Sequence, residues 1–196
     1  MKKTLCILVG VLFCFIVVYS LYENISNNKS EQMEVLDSGK YYRIYKGSTN
    51  QIRYDIYNYG GEIVLSEETE HPLEIRTING NIIDIEIGMG TGITIHKYYD
   101  VDENVFSQEF QYVLSNLEQL IAYVDVPKAN PLENRKVIVR NIFDKQLFYK
   151  EYELDFSYVD TPVIEAKFSR DGAALHLTYL SGEQKTQVST VLELSQ

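Results

Sequence analysis

The sequence predicts an all-β domain of repeated antiparallel sheet, carried behind an apolar N-terminal helix. Three observations lead there. Apolar and polar residues alternate at a period of two, as in Ile83-Asp84-Ile85-Glu86-Ile87 and Leu175-His176-Leu177-Thr178-Tyr179. Turn-forming groups separate the runs: Asn58-Tyr59-Gly60-Gly61, Asn79-Gly80 and Ser169-Arg170-Asp171-Gly172. The four prolines, Pro72, Pro127, Pro131 and Pro162, all fall between runs, where a missing N–H breaks no ladder.

Residues 1–22 are expected to form a signal peptide or signal-anchor helix. Lys2 and Lys3 precede an unbroken apolar run from Leu5 to Val18, and basic residues in that position keep the amino terminus on the cytoplasmic side. From Thr4 to Leu21 a helix would span about 27 Å, close to a hydrocarbon core. The expected location is the cell membrane, single-pass, with the C-terminal domain outside. Tyr19 and Tyr22 suit the interfacial belt of a retained anchor. The alternative is secretion after cleavage near Ser20, since Val18-Tyr19-Ser20 offers small residues at the positions a peptidase needs. Cys6 and Cys14 both lie in this run, so everything after it is free of thiols, disulfides and Cys-based metal sites.

Residues 23–38 hold little to bury and are expected to be a disordered tether. Residues 39–196 are left as one extracytoplasmic β-rich domain, and about 155 residues suffice for one hydrophobic core. Without Lys2 and Lys3 the 18 basic residues fall to 16 against 28 acidic ones, a net charge of −12. That balance argues against nucleic acid as a partner and favours proteins or cell-envelope ligands, with the membrane reached only through the N-terminal segment.

A repeat runs through the domain. Tyr57-Asn58, Tyr99-Asp100 and Phe143-Asp144 each end a β-like run, at intervals of 42 and 44 residues. A period of that size, with three or four short strands in each unit, predicts about three to four propeller-like blades of antiparallel sheet. The alternative is an α+β fold with one helix near residues 107–124. Phe106, Phe110, Val113, Leu114, Leu117, Leu120, Ile121 and Val124 recur at three and four residues. Two strands around a turn at Ser115-Asn116 preserve the repeat and are preferred.

Phe168-Ser169-Arg170-Asp171-Gly172-Ala173-Ala174-Leu175-His176-Leu177 resembles the Phe-Ser-Pro-Asp-Gly hairpin of TolB-type β-propeller repeats, with Arg170 in place of the proline. Ile78-Asn79-Gly80 before Ile82-Ile83, and Leu114-Ser115-Asn116 before Leu120-Ile121, echo it. The resemblance implies a sheet array serving as a binding platform and transfers no active-site residue. With its leading segment, the chain resembles exported bacterial proteins.

Chemistry-bearing motifs are sparse. His71, His96 and His176 have no metal-ligand spacing and read as three independent surface histidines. Gly88-Met89-Gly90-Thr91-Gly92 leads into a strand rather than a helix, so it reads as a strand connection and not a phosphate cradle. Asp100, Asp102 and Asn104 alternate as calcium ligands do, yet Val105 and Gln111 stand where the turn glycine and bidentate glutamate belong. A solvated turn is the expected reading there, with Ca²⁺ the one candidate cofactor. The chain holds 16 tyrosines, and Tyr41, Tyr42, Tyr45, Tyr54, Tyr57 and Tyr59 form the candidate binding patch, because such rings bury area while keeping a polar edge. The expected function is a non-catalytic binding module displayed at the membrane surface, leaning away from an enzyme. Two alternatives stand beside it: an envelope-polymer hydrolase using paired carboxylates among Glu67, Glu68, Asp100 and Asp102, and a calcium-dependent structural domain.

Overall fold

The computed structural model describes residues 33–47, 51–90, 92–128, 131 and 135–194. The expected signal or anchor helix at 1–22 lies outside the described residues. Among the described residues no helix is long and apolar enough to cross a membrane.

The described residues form four antiparallel meanders, laid down in chain order. The first sheet joins β1 (Val35–Ser38), β2 (Tyr42–Lys46), β3 (Ile52–Tyr57) and β4 (Ile63–Thr69). The second joins β5 (Leu73–Ile78), β6 (Ile82–Gly88), β7 (Thr94–Asp100) and β8 (Val105–Gln111). In the third, β9 (Val113–Leu117), β10 (Leu120–Asp125), β11 (Lys136–Asn141) and β12 (Tyr149–Glu153) follow the same order. The fourth has β13 (Val163–Phe168), β14 (Ala174–Ser181) and β15 (Thr186–Glu193). Val35–Ser38 was expected in the tether; its backbone instead pairs with β2, so ordered sheet begins at Val35.

Alternation on each strand decides how the sheets stack. Ile44, Tyr54 and Ile56 of the first sheet pack with Ile75, Ile83, Ile85 and Tyr99 of the second. From the other face of the second, Ile82, Tyr98 and Phe110 meet Ile121 and Ile142 of the third. Ala122, Val137 and Val139, again on the opposite face, meet Phe168, Leu175, Leu177 and Leu192 of the fourth. The two middle sheets are thus buried on both faces. Alternation at Ile83–Ile87 would by itself mean a strand buried on one face only, yet Asp84, on the face opposite Ile83 and Ile85, is 0% exposed.

The same burial explains the false helical signal. Residues 107–124 lie on β8, β9 and β10, and the strands of a doubly covered sheet bury side chains on both faces, so apolar residues recur without strict alternation. Tyr112, at φ 53°, breaks β8 from β9. The β9–β10 turn sits at Glu118-Gln119 rather than Ser115-Asn116: Leu117 pairs with Leu120, and Glu118 takes φ 51°.

One backbone hydrogen bond recurs in all four sheets. The N–H of Tyr57, Val101, Ile142 and Leu194 donates to the carbonyl of Tyr41, Asn81, Gln119 and Ala173 respectively, over 2.8–2.9 Å. Each bond extends the pairing of third strand with second. It makes Tyr57, Val101 and Ile142 the equivalent positions, so Tyr99 falls two residues before its register and Phe143 one after. The equivalent positions are 44, 41 and 52 residues apart, so the intervals of 42 and 44 expected from the aromatic pairs hold only approximately, over the first three sheets, and with shifted phase. Asp100 and Asn141 are the matching residues: each side-chain Oδ1 accepts from the two N–H groups two and three residues on. In these two sheets a polar residue caps its own turn.

The hairpin Ser169–Gly172 joins β13 to β14 and is locked by its own side chains. The Ser169 hydroxyl donates to Asp171 Oδ1 (2.7 Å), and the Ala173 N–H donates to the same oxygen (3.1 Å). Gly172, at φ +68°, supplies the left-handed residue. These bonds, the Ser169 hydroxyl foremost, hold the Asp171 carboxyl below its ordinary range. Because the folded value is depressed, the contribution is present above the ordinary Asp value of about 3.9 and is lost as pH falls through the folded one. A carboxyl-carbon NMR titration should place the Asp171 midpoint below about 3.9; a midpoint at or above it removes this account of the turn.

Candidate functional site

The polar centre of the domain lies on the face of the second sheet that meets the third. Cross-strand pairing sets it. Arg76 on β5 stands opposite Asp84 on β6, and Glu86, two residues along, stands opposite His96 on β7. Side chains two apart share a face, so Asp84, Glu86, Arg76 and His96 collect on the side of Ile82, away from Ile83.

Asp84 is fully buried, and both of its oxygens are engaged. Arg76 Nε and Nη2 donate to Oδ2 at 3.0 and 2.9 Å, and His96 Nδ1 lies 3.0 Å from Oδ1. Arg76 Nη2 also donates to Glu86 Oε2 at 3.1 Å. His96 is 5% exposed; with Nδ1–H given to the carboxylate, Nε2 accepts from the Thr94 hydroxyl over 3.1 Å. Burial works against the Arg76 charge, but the Asp84 hydrogen bond and the charges of Asp84, Glu86 and Glu74 outweigh it and raise its pKa. Below the cluster, burial and then the charge of Asp84 raise the Tyr98 phenol.

Two chemistries are worth weighing. Oxygen and nitrogen atoms of Asp84, Glu86 and His96 lie within 4.8 Å of one another, near enough to share a cation. Arg76 already holds that place, bridging Asp84 and Glu86 with one nitrogen, so a metal ion would have to displace a built-in guanidinium. The donor set does not fit a metal. Thr94, His96 and Asp84 also follow one another as hydroxyl, imidazole and carboxylate. Arg76 again decides: the Asp84 charge that would stabilise an imidazolium is already spent on it.

The cluster opens into a cleft of about 550 Å³ between the second and third sheets, where Arg76, Glu86, Thr94 and His96 face Ser115 and Asn116 of β9. Arg76 keeps 45% of its side chain exposed there. At another place along the same seam, a cavity of about 380 Å³ is lined by Asn81, Asp100, Asp102, Glu103, Glu118 and Gln119.

The residues singled out from the sequence are dispersed. Tyr41 and Tyr54 are core residues, buried between the first and second sheets, and do not belong to an exposed patch. Tyr42 donates to Asp37. Tyr45 and Tyr57 join their hydroxyls over 3.3 Å on the other face of the first sheet, where burial and then that bond push the Tyr57 phenol up to about 12. Tyr59 alone stands out, 75% exposed at a turn. The tyrosines are dense in sequence but divided in space: Tyr41, Tyr42 and Tyr54 pack toward the second sheet, and Tyr45 and Tyr57 meet on the other face.

The calcium candidates are likewise occupied by the protein. Asp100 Oδ1 caps the N–H groups of Asp102 and Glu103, Asp102 accepts from the Asn81 amide, and Asn104 accepts the Tyr99 hydroxyl. Glu67 accepts the Tyr54 hydroxyl and faces Lys97; the cavity holding Asp100 and Asp102 includes neither Glu67 nor Glu68. His96 is buried and bonded, not a surface histidine. The sequence did show acids alternating with isoleucines at 83–87; that a second sheet covers them was the missing fact.

No family model matches the chain, and no curated protein matches it. Among solved structures, it is similar to the computationally designed Ika4 protein, at 10% identity and a TM-score of 0.39 over 85% of this chain and 95% of that one. An uncharacterized protein from Listeria monocytogenes EGD-e is similar at 12% identity and a TM-score of 0.32. That match covers 84% of this chain and 55% of the other, so the chain spans about half of that protein.

Proposed function

We propose that this is a non-catalytic binding module that takes an extended polar ligand, peptide or cell-envelope polymer, along the cleft between its second and third sheets. One observation carries the reading: this seam is lined by a hydrogen-bonded charged network of Arg76, Asp84, Glu86 and His96 that reaches solvent through Arg76. Its apolar core is correspondingly small, with Ile82, Tyr98, Phe110, Ile121 and Ile142 as its buried members. Arg76, Glu86, Ser115 and Asn116 offer donors and acceptors on both walls of the cleft, which suits a ligand recognised by hydrogen bonds.

The four meanders are blades of a propeller-like array, a reading that their stacking and the TolB-type hairpin support. The apolar N-terminal segment holds the array at the outer face of the membrane, and its acidic charge favours neutral or basic ligands. The test is binding of the purified protein to arrays of envelope glycans and peptides, alongside Ser115→Ala and Asn116→Ala. Both variants should lose about tenfold in affinity for whatever the parent retains. Unchanged binding by both, or retention of nothing on the arrays, defeats the proposal.

A further inference from the structure

A second cavity lies beyond Thr94, between the third sheet and the approach to the fourth. It measures about 160 Å³, and Leu114, Val124, Val126 and Val163 give it apolar walls. Arg135 is set among them, 6% exposed. Its Nε donates to the Pro131 carbonyl and its Nη1 to the Val159 carbonyl, both at 2.5 Å. Neither partner carries a charge, and among the described residues no ion pair of Asp or Glu with this guanidinium is formed.

A charge this deeply buried is normally matched by an opposite one, because carbonyl dipoles replace only part of the lost hydration. Arginine has five N–H donors in a planar fork. Two are used on the two carbonyls, and the remainder belong to a side chain that lines the cavity. The feature that completes such a site is a carboxylate, whose two oxygens match the fork. The walls around it demand an apolar tail. A dry cavity of about 150 Å³ accommodates a benzene-sized guest, so the tail has room for about four to six carbons. Asp160 also lines the cavity, but its side chain is exposed, where water screens its charge.

We propose that this cavity is a binding site for a small carboxylate with an aliphatic tail, held by Arg135. A free branched-chain acid and the C-terminal carboxylate of a chain ending in an aliphatic residue share that chemistry. The site does not rest on the polymer-binding reading of the neighbouring cleft.

Isothermal titration of the full-length protein with 4-methylpentanoate should show saturable binding, about tenfold tighter than its uncharged amide. A short peptide ending in leucine, run beside its C-terminal amide, identifies the source: tighter binding than the free acid assigns a chain terminus, weaker binding a small molecule. Arg135→Gln should abolish the preference for acid over amide. Should that variant fail to fold, Leu114→Phe, which fills the cavity and leaves the arginine in place, should abolish binding of the acid. Equal affinity for acid and amide, or no saturable binding of any carboxylate up to about 10 mM, overturns the proposal.

Discussion

Asp84→Ala is expected to destabilise the domain by about 3–5 kcal/mol, the usual cost of removing one partner from a buried ion pair. Asp84 is fully buried and receives Arg76 through two nitrogens and His96 through one. Without it, the guanidinium keeps only Glu86 and Glu74, both partly or fully in water, and the imidazole loses its acceptor. For a domain of this size the loss corresponds to a fall in Tm of about 10 °C. Urea denaturation followed by circular dichroism gives the free energy. The double variant Asp84→Ala with Arg76→Ala should recover part of the loss, because the stranded cation is gone with its partner. A single-variant loss under about 1 kcal/mol would mean that water reaches Asp84 freely and the seam is not closed around it.

Leu175→Ala is expected to cost about 3 kcal/mol, within the range for a buried leucine truncated in a well-packed core. Leu175 is 0% exposed in the cluster shared by the third and fourth sheets. On the opposite face of the fourth sheet Val191 is exposed, and Val191→Ala should change stability by no more than about 0.5 kcal/mol. The pair tests the stacking itself. Similar losses at the two positions would show that the fourth sheet does not bury one face against the third.

Several parts of this fold are legible from residue order alone. Asn79-Gly80 and Ser169–Gly172 are turns because glycine and asparagine accept positive φ, and the structure places both between strands. The repeat is visible between the second and third sheets because a polar residue caps the turn after the third strand of each, Asp100 in one and Asn141 in the other. Its phase is not, since Tyr99 and Phe143 mark the strand end by packing, whereas Asp100 and Asn141 mark it by hydrogen bonding. The helix near 107–124 is suggested by spacing that two buried faces produce together. The tyrosine patch dissolves for a related reason: residue order does not say which tyrosines another sheet covers, and Tyr41 and Tyr54 face the core while Tyr59 faces water.

By itself the sequence determined the strands, most of their turns, the acidic charge and the absence of thiols beyond residue 22, because each depends on local geometry or on composition. Only the tertiary structure decided which polar residues matter. Period-two alternation states that Asp84 and Ile83 point in opposite directions, but not what stands on either side. The third sheet, some forty residues further along the chain, covers the acidic face and turns an ordinary pair of surface acids into a buried network with Arg76 and His96. In the same way Arg135 is an unremarked basic residue until Pro131, Val159 and the walls of a cavity close around it. Burial is set by contacts distant in the chain, and it alone makes an unmatched charge costly enough to signify a ligand.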